Sequence, residues 1–300
     1  MSETFYNLTN DILFKLTFGD PKKSKILICL INALLQLQDS EKIVEVEILN
    51  PFNDKEFTGD KLSIVDVKAK DSLGVLYNIE MQVQVPKDWE KRALYYASKL
   101  YTSQLKESQF YGRLNKTISI SILNETCFQD NNQIHNIYSF HNTKSLKPLD
   151  NLMELHFIEL SKFNKDKSRA LSSPFEKWLY TLKYGDNYPK ESDMLPHELV
   201  SEAGIKEAFD AMRYANADQQ TRYLIEARQK FIRDHLSMKE DARQEGLKEG
   251  LKEGLEEGIK EGIEQGIEKV ILNLIQNSTM NDLEISKLTS VDIKTISQYR

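Results

Sequence analysis

Apolar residues fall at helical spacing from the first turns of the chain. In NLTNDILFKLTF (residues 7–18) Leu8, Ile12 and Leu16 fall at helical spacing, as do Phe14 and Phe18, and Thr9 or Asn10 is placed to cap. After Gly19, Asp20 and Pro21 a second helix is predicted over roughly 22–37. The pattern then switches to period two, with strands expected over 43–49, 61–70 and 75–85, the last two forming a hairpin. Pro86 stops the hairpin and Asp88 opens a periodic helix to about 108. Its apolar side is read as Leu94, Ala97, Tyr101 and Leu105. The opposite side carries Arg92, Tyr95, Tyr96, Lys99 and Lys106. Residues 117–123 read as a buried strand, 136–141 and 152–160 as further strands, and the chain is helical from Phe175 to about Met238. Helix, three strands, helix, strand is an α/β order with a mixed sheet.

The hairpin holds the first candidate chemistry. Asp71-Ser72-Leu73-Gly74-Val75 fits a three-residue loop in which Gly74 takes the positive φ. Counting back along both arms places Asp66 across from Glu80, and alternation puts Gln82 on the same face. Facing carboxylates repel unless something compensates, and a divalent cation with oxygen ligands would do so. A solvated polar face, with Lys68 neutralising the acids, is the equal alternative, because a one-residue slip would turn every side chain over.

Composition narrows the classes without choosing among them. At 300 residues with 40% apolar content, a substantial core and more than one unit are expected. The longest apolar stretch, 26–37, is too short for a membrane span and contains Asn32 and Gln36. Cys29 and Cys127 match no metal or redox spacing, which fits reduced thiols in a cytoplasmic protein. The five histidines show no ligand spacing either. Net charge is −6, but residues 239–268 carry five basic and ten acidic side chains, so the remainder is nearly neutral. Residues 87–116 carry seven basic against three acidic, a local excess that permits phosphate contact.

Four stretches together resemble the PD-(D/E)XK nuclease-family transposases, also called recombination-promoting nucleases. They are NDILFKLTFGD, ILICLINALL, IVDVKAKDSLGVLYNIEMQVQ and WEKRALYYASKLYTSQL, in that family's order, within about 7–124. The resemblance implies a restriction-endonuclease-like core (α-β-β-β-α-β) and a Mg²⁺-dependent DNA endonuclease, with Mn²⁺ as a substitute, linked to recombination or mobile elements. Asp66 and Glu80 then stand at the motif's metal-ligand positions, with the Met81 carbonyl completing the set. Gln82 stands where the wider superfamily has lysine, a departure this branch shares, which leaves the site short of one cation. Asp11 is the candidate additional acid, helix capping being its alternative. Lys15, one turn on, is either a partial replacement for the missing cation or a solvated side chain. Arg92, Tyr95, Tyr96 and Lys99 are candidates to meet the DNA backbone.

Beyond the core, the segment QEGLKEGLKEGLEEGIKEGIEQGIEK places Gly246, Gly250, Gly254, Gly258, Gly262 and Gly266 four residues apart. Six interior glycines cost a helix on the order of 6 kcal/mol relative to alanine, so such a helix needs packing partners. The row Leu247, Leu251, Leu255, Ile259, Ile263 and Ile267 drifts by about 40° per repeat, which favours right-handed self-association into a homo-oligomer. A flexible acidic linker is the alternative. The division expected is 1–165 nuclease-like, 166–238 helical, 239–268 repeat helix and 269–300 a small helical cap. A decayed core that binds DNA, with the glycine tail as the working part, is the competing function.

Overall fold

The computed structural model describes residues 4–50, 52–53, 63–64, 66–149 and 152–300, in two compact units, Met1–Ala227 and Arg228–Arg300. The first opens with α1 (Asp11–Phe18), which starts because the Asn10 side chain accepts the Ile12 and Leu13 amides. Then come α2 (Ser24–Leu34), β1 (Val46–Leu49), the short β2 (Phe52–Asn53) and β3 (Ser63–Ile64), β4 (Val67–Asp71) and β5 (Leu76–Gln82). After them run α3 (Trp89–Thr102), β6 (Thr117–Leu123), β7 (His135–Ser139), β8 (Met153–Glu159), α4 (Pro174–Tyr184), α5 (His197–Val200) and α6 (Ile205–Ala217). Of the strand expected over 61–70, residues 61, 62 and 65 lie outside the described residues. Ser63 and Ile64 form β3, Asp66 is a bend, and β4 begins at Val67.

Six strands form one mixed sheet in the order β1-β4-β5-β6-β8-β7. The sheet is parallel along β5, β6 and β8 and antiparallel toward both edges. The helix between parallel neighbours is α3, which packs against β5, β6 and β8. The α/β expectation therefore holds for the sheet and its helices.

Each face of the sheet is covered by different chemistry. Tyr77, Ile79, Met81, Ile118, Ile120 and Ile122 meet Phe14, Phe18, Leu27, Leu30, Trp178 and Phe209, so α1, α2, α4 and α6 share one core. The alternate residues Asn78, Glu80, Ser119 and Ser121 are buried as well, on the face that α3 covers. Strand β5, whose polar and apolar residues alternate, therefore has no open face before its last residue. It is buried on both faces through Met81, as expected for an interior strand with parallel and antiparallel neighbours.

The face of α3 also differs from the expectation. Trp89, Ala93, Tyr96, Ala97 and Leu100 are buried, whereas Leu94 is 44% and Tyr95 38% exposed. Asp88 flanks the helix without a side-chain capping bond. Small Ala93 and Ala97 let the helix lie close over a strand surface that carries serines, so hydrophobicity alone picks the wrong side.

The long α7 (Gln219–Asn277) runs from the first unit into the second. The second unit continues with α8 (Asp282–Thr289) and α9 (Ile293–Ser297), where Ile271, Ile285 and Ile296 form a small core. Asn281 and Glu284 close a capping box on α8, and Ser290 turns the chain with φ of 59°. Along the repeat, the Leu247 to Ile267 row stays exposed, at 64% for Leu247 and 37% for Ile267. A Cβ on any of its six glycines would meet nothing within 4 Å.

Candidate active site

The hairpin closes as its sequence requires. The Asp71 amide donates to the Val75 carbonyl, and Gly74 takes φ of +87°. The Asp71 carboxylate accepts the Leu73 and Val75 amides and the Tyr77 hydroxyl, which holds the turn from the side-chain level too. The register follows: Val67 faces Ile79 and Lys70 faces Leu76, so the next position outward brings Asp66 opposite Glu80.

Both carboxylates are taken out of water where β5 ends. Glu80 is 3% exposed, and the Asp66 side chain is 8% exposed. Asp66 Oδ2 accepts the Met81 amide at 2.8 Å, and Oδ1 meets Lys15 Nζ of α1 at 3.0 Å. Burial raises the Asp66 carboxyl above its ordinary value, against the pull of Lys15 and the Met81 amide, with Asp11 adding to the rise. Burial, then Asp66, push Glu80 well above the usual carboxylate range, opposed by Lys15 and Arg92. Gln82 reaches back, its Nε2 lying 3.4 Å from Glu80 Oε2, while Oε1 has no hydrogen-bond partner.

That unpartnered oxygen is the observation that bears on a metal. A buried carboxylate oxygen without a donor, beside a second carboxylate whose charge it repels, costs stability unless a cation completes it. The donors are hard oxygens, which suit Mg²⁺ or Mn²⁺ more than zinc. Among the described residues no three His, Cys, Asp or Glu side chains gather as a metal cluster. Protein ligation would therefore come from two carboxylates and backbone oxygen, as Mg²⁺ sites with retained water often do.

The remaining sequence candidates are placed unevenly. Lys15 is not merely solvated: it pairs with Asp66 across the hairpin end. Asn10 supplies the capping bonds of α1, and the Asp11 carboxylate, which also accepts the Ile12 amide, acts electrostatically on Asp66. Tyr96 is 8% exposed and accepts a bond from Arg92 Nη2 at 2.9 Å, so it is a brace within α3 and not an open contact. The Lys99 ammonium lies 6.0 Å from the Tyr95 ring, further along the helix.

Sequence reasoning missed one cluster around the buried His156. His135 Nε2 lies 2.9 Å from His156 Nδ1, His156 Nε2 is 3.4 Å from Glu154, and Lys116 bonds Glu154 at 2.7 Å. Burial and the His156 charge hold His135 down at about 4. The two histidines are 21 residues apart, and only the β7–β8 register reveals them.

Comparison with known proteins gives one finding. The family model described as PD-(D/E)XK nuclease family transposase matches residues 8–242. No curated protein and no solved structure gives a significant match.

Proposed function

The chain belongs to the PD-(D/E)XK nuclease family transposases, and from that premise we propose that it is a Mg²⁺-dependent DNA endonuclease acting in recombination or on mobile elements. The single observation carrying this reading is the buried Asp66–Glu80 pair with one unpartnered oxygen at the end of β5. Asp66, Glu80 and the Met81 carbonyl would hold the cation. Bound there, a divalent cation supplies a lowered water pKa and charge neutralisation on the phosphate. Gln82 orients Glu80 and offers an amide to the attacking water, a neutral substitute for a lysine. Lys15 keeps Asp66 ionised and in place, and Asp11 biases the same carboxyl from α1. On this reading Arg92 and Lys99 meet the DNA backbone, with Tyr96 behind them.

Plasmid cleavage tests the reading. Wild-type protein is expected to nick supercoiled DNA in Mg²⁺ or Mn²⁺ and not in EDTA, and Asp66→Ala should remove the activity. Intact DNA at high protein concentration in both metals would leave the competing reading, DNA binding without cleavage. That reading draws support from the Lys15 ammonium already seated on Asp66.

The exposed Leu247–Ile267 row supports a homo-oligomer formed by a second copy of the repeat. The glycine column beside the row permits close backbone approach, and no bulky side chain opposes it. Sedimentation should give a dimer or larger for the full chain and a monomer for Leu251→Lys with Leu255→Lys. A monomeric wild type at micromolar concentration would sink the idea.

A further inference from the structure

Three polar groups stand near the carboxylate pair, and they differ in the charge they can offer. Gln82 is neutral. Lys15 is committed to Asp66 at 3.0 Å. Arg92 is the exception. It lies on α3, which packs over the face of β5 and β6 where Glu80 is buried, on the opposite side of the sheet from α1.

Arg92 is also held in an unusual way. Its guanidinium carbon lies 5.0 Å from the centroid of the Trp89 ring and 5.6 Å from that of Tyr96, and Nη2 donates to the Tyr96 hydroxyl at 2.9 Å. Arg92 forms no ion pair with a carboxylate among the described residues, so most of its donors are unspent. Trp89, fully buried, keeps an unpartnered Nε1–H, a second unsatisfied donor in the same turn of α3. A half-buried guanidinium held against two rings, with no carboxylate paired to it among the described residues, can receive a planar or tetrahedral oxyanion.

We infer that Arg92 binds the scissile phosphodiester itself, supplying the positive charge that Gln82 cannot, and that Trp89 and Tyr96 are positioning residues that fix its plane. The inference rests on the nuclease reading for its catalytic half. It differs from a general backbone contact because Arg92 would act on the phosphate being cut, and because the aromatic frame, not exposure, selects it. Lys99, one turn beyond Tyr96, keeps the role of a backbone contact.

The full-length chain tests this in two arms. In Ca²⁺, where binding is read without turnover, anisotropy of a labelled duplex should show Arg92→Ala weakening affinity about tenfold, and Arg92→Lys recovering most of it. In Mg²⁺, Arg92→Ala should lower kcat about 100-fold. Arg92→Lys should stay well below wild type, since an ammonium cannot reproduce the stacked fork. Added guanidinium ion should partly restore Arg92→Ala. Tyr96→Phe should lower kcat with KM and Tm little changed, a split that a purely structural role would not give. Wild-type duplex affinity in Arg92→Ala, or wild-type kcat in Arg92→Lys, overturns the proposal. An inert wild type whose duplex affinity still depends on Arg92 instead overturns the nuclease reading and leaves the phosphate clamp.

Discussion

Replacing Glu80 by Gln is expected to stop cleavage and, in metal-free buffer, to make the folded protein more stable. The two effects have one cause. The Glu80 carboxylate is buried, faces Asp66 and leaves Oε1 without a donor, so keeping it ionised at neutral pH opposes folding. The carboxamide keeps the shape and drops the charge, which should return about 1–3 kcal/mol. Activity should fall by more than about 100-fold, beyond the 10–100-fold losses that partners behind a metal ligand produce. Adding Mg²⁺ should then stabilise the wild type and leave Glu80→Gln unmoved, because only a state that binds the ion gains from it. Thermal unfolding in EDTA and in Mg²⁺ reads all of this except the rate. A variant less stable than wild type in EDTA would mean that Glu80 is a satisfied structural carboxylate.

The second large effect lies outside the motif stretches. Trp178→Ala should destabilise the first unit by about 3–5 kcal/mol, a drop in Tm on the order of 10 °C for a unit of this size. Trp178 is fully buried on α4 and lies 6.1 Å from the Phe18 ring of α1, which also carries Lys15. Loss of the indole would therefore loosen the helix that holds Asp66 from one side, and cleavage should weaken together with stability. The control is Leu94→Ala. Leu94 was expected in the core of α3 and is 44% exposed, so its truncation should shift stability by no more than about 0.5 kcal/mol. Calorimetry that finds Leu94→Ala as costly as Trp178→Ala would contradict the packing described.

What could be read in the sequence was what local chemistry determines. Gly74 with Asp71 defines the loop, the loop defines the register, and the register brings Asp66 to Glu80 without further information. The strand at 117–123 was legible residue for residue because isoleucines alternate with small Thr and Ser residues between two turns. The orientation of α3 was not, because its partner surface is the serine-bearing side of β6 and its own buried face is made of alanines and aromatics. Lys15 reaching Asp66, and His135 meeting His156, depend on elements far apart in the chain, which periodicity does not encode. The part played by α4 and α6 was invisible for the same reason: their apolar stripes announce that they pack, not that they share the core of α1 and α2.

The repeat in α7 has a consequence for how such chains change over generations. Every unit is the same four residues in outline, so gain or loss of one unit lengthens or shortens the helix by about 6 Å and turns the apolar row by about 40°, leaving the pattern itself unbroken. Each such change remains in register with itself. The hairpin tolerates nothing comparable, since one inserted residue would carry Asp66 or Glu80 to the wrong face. Length polymorphism should therefore collect in the repeat, and the spacing from Asp66 to Glu80 should stay at fourteen residues.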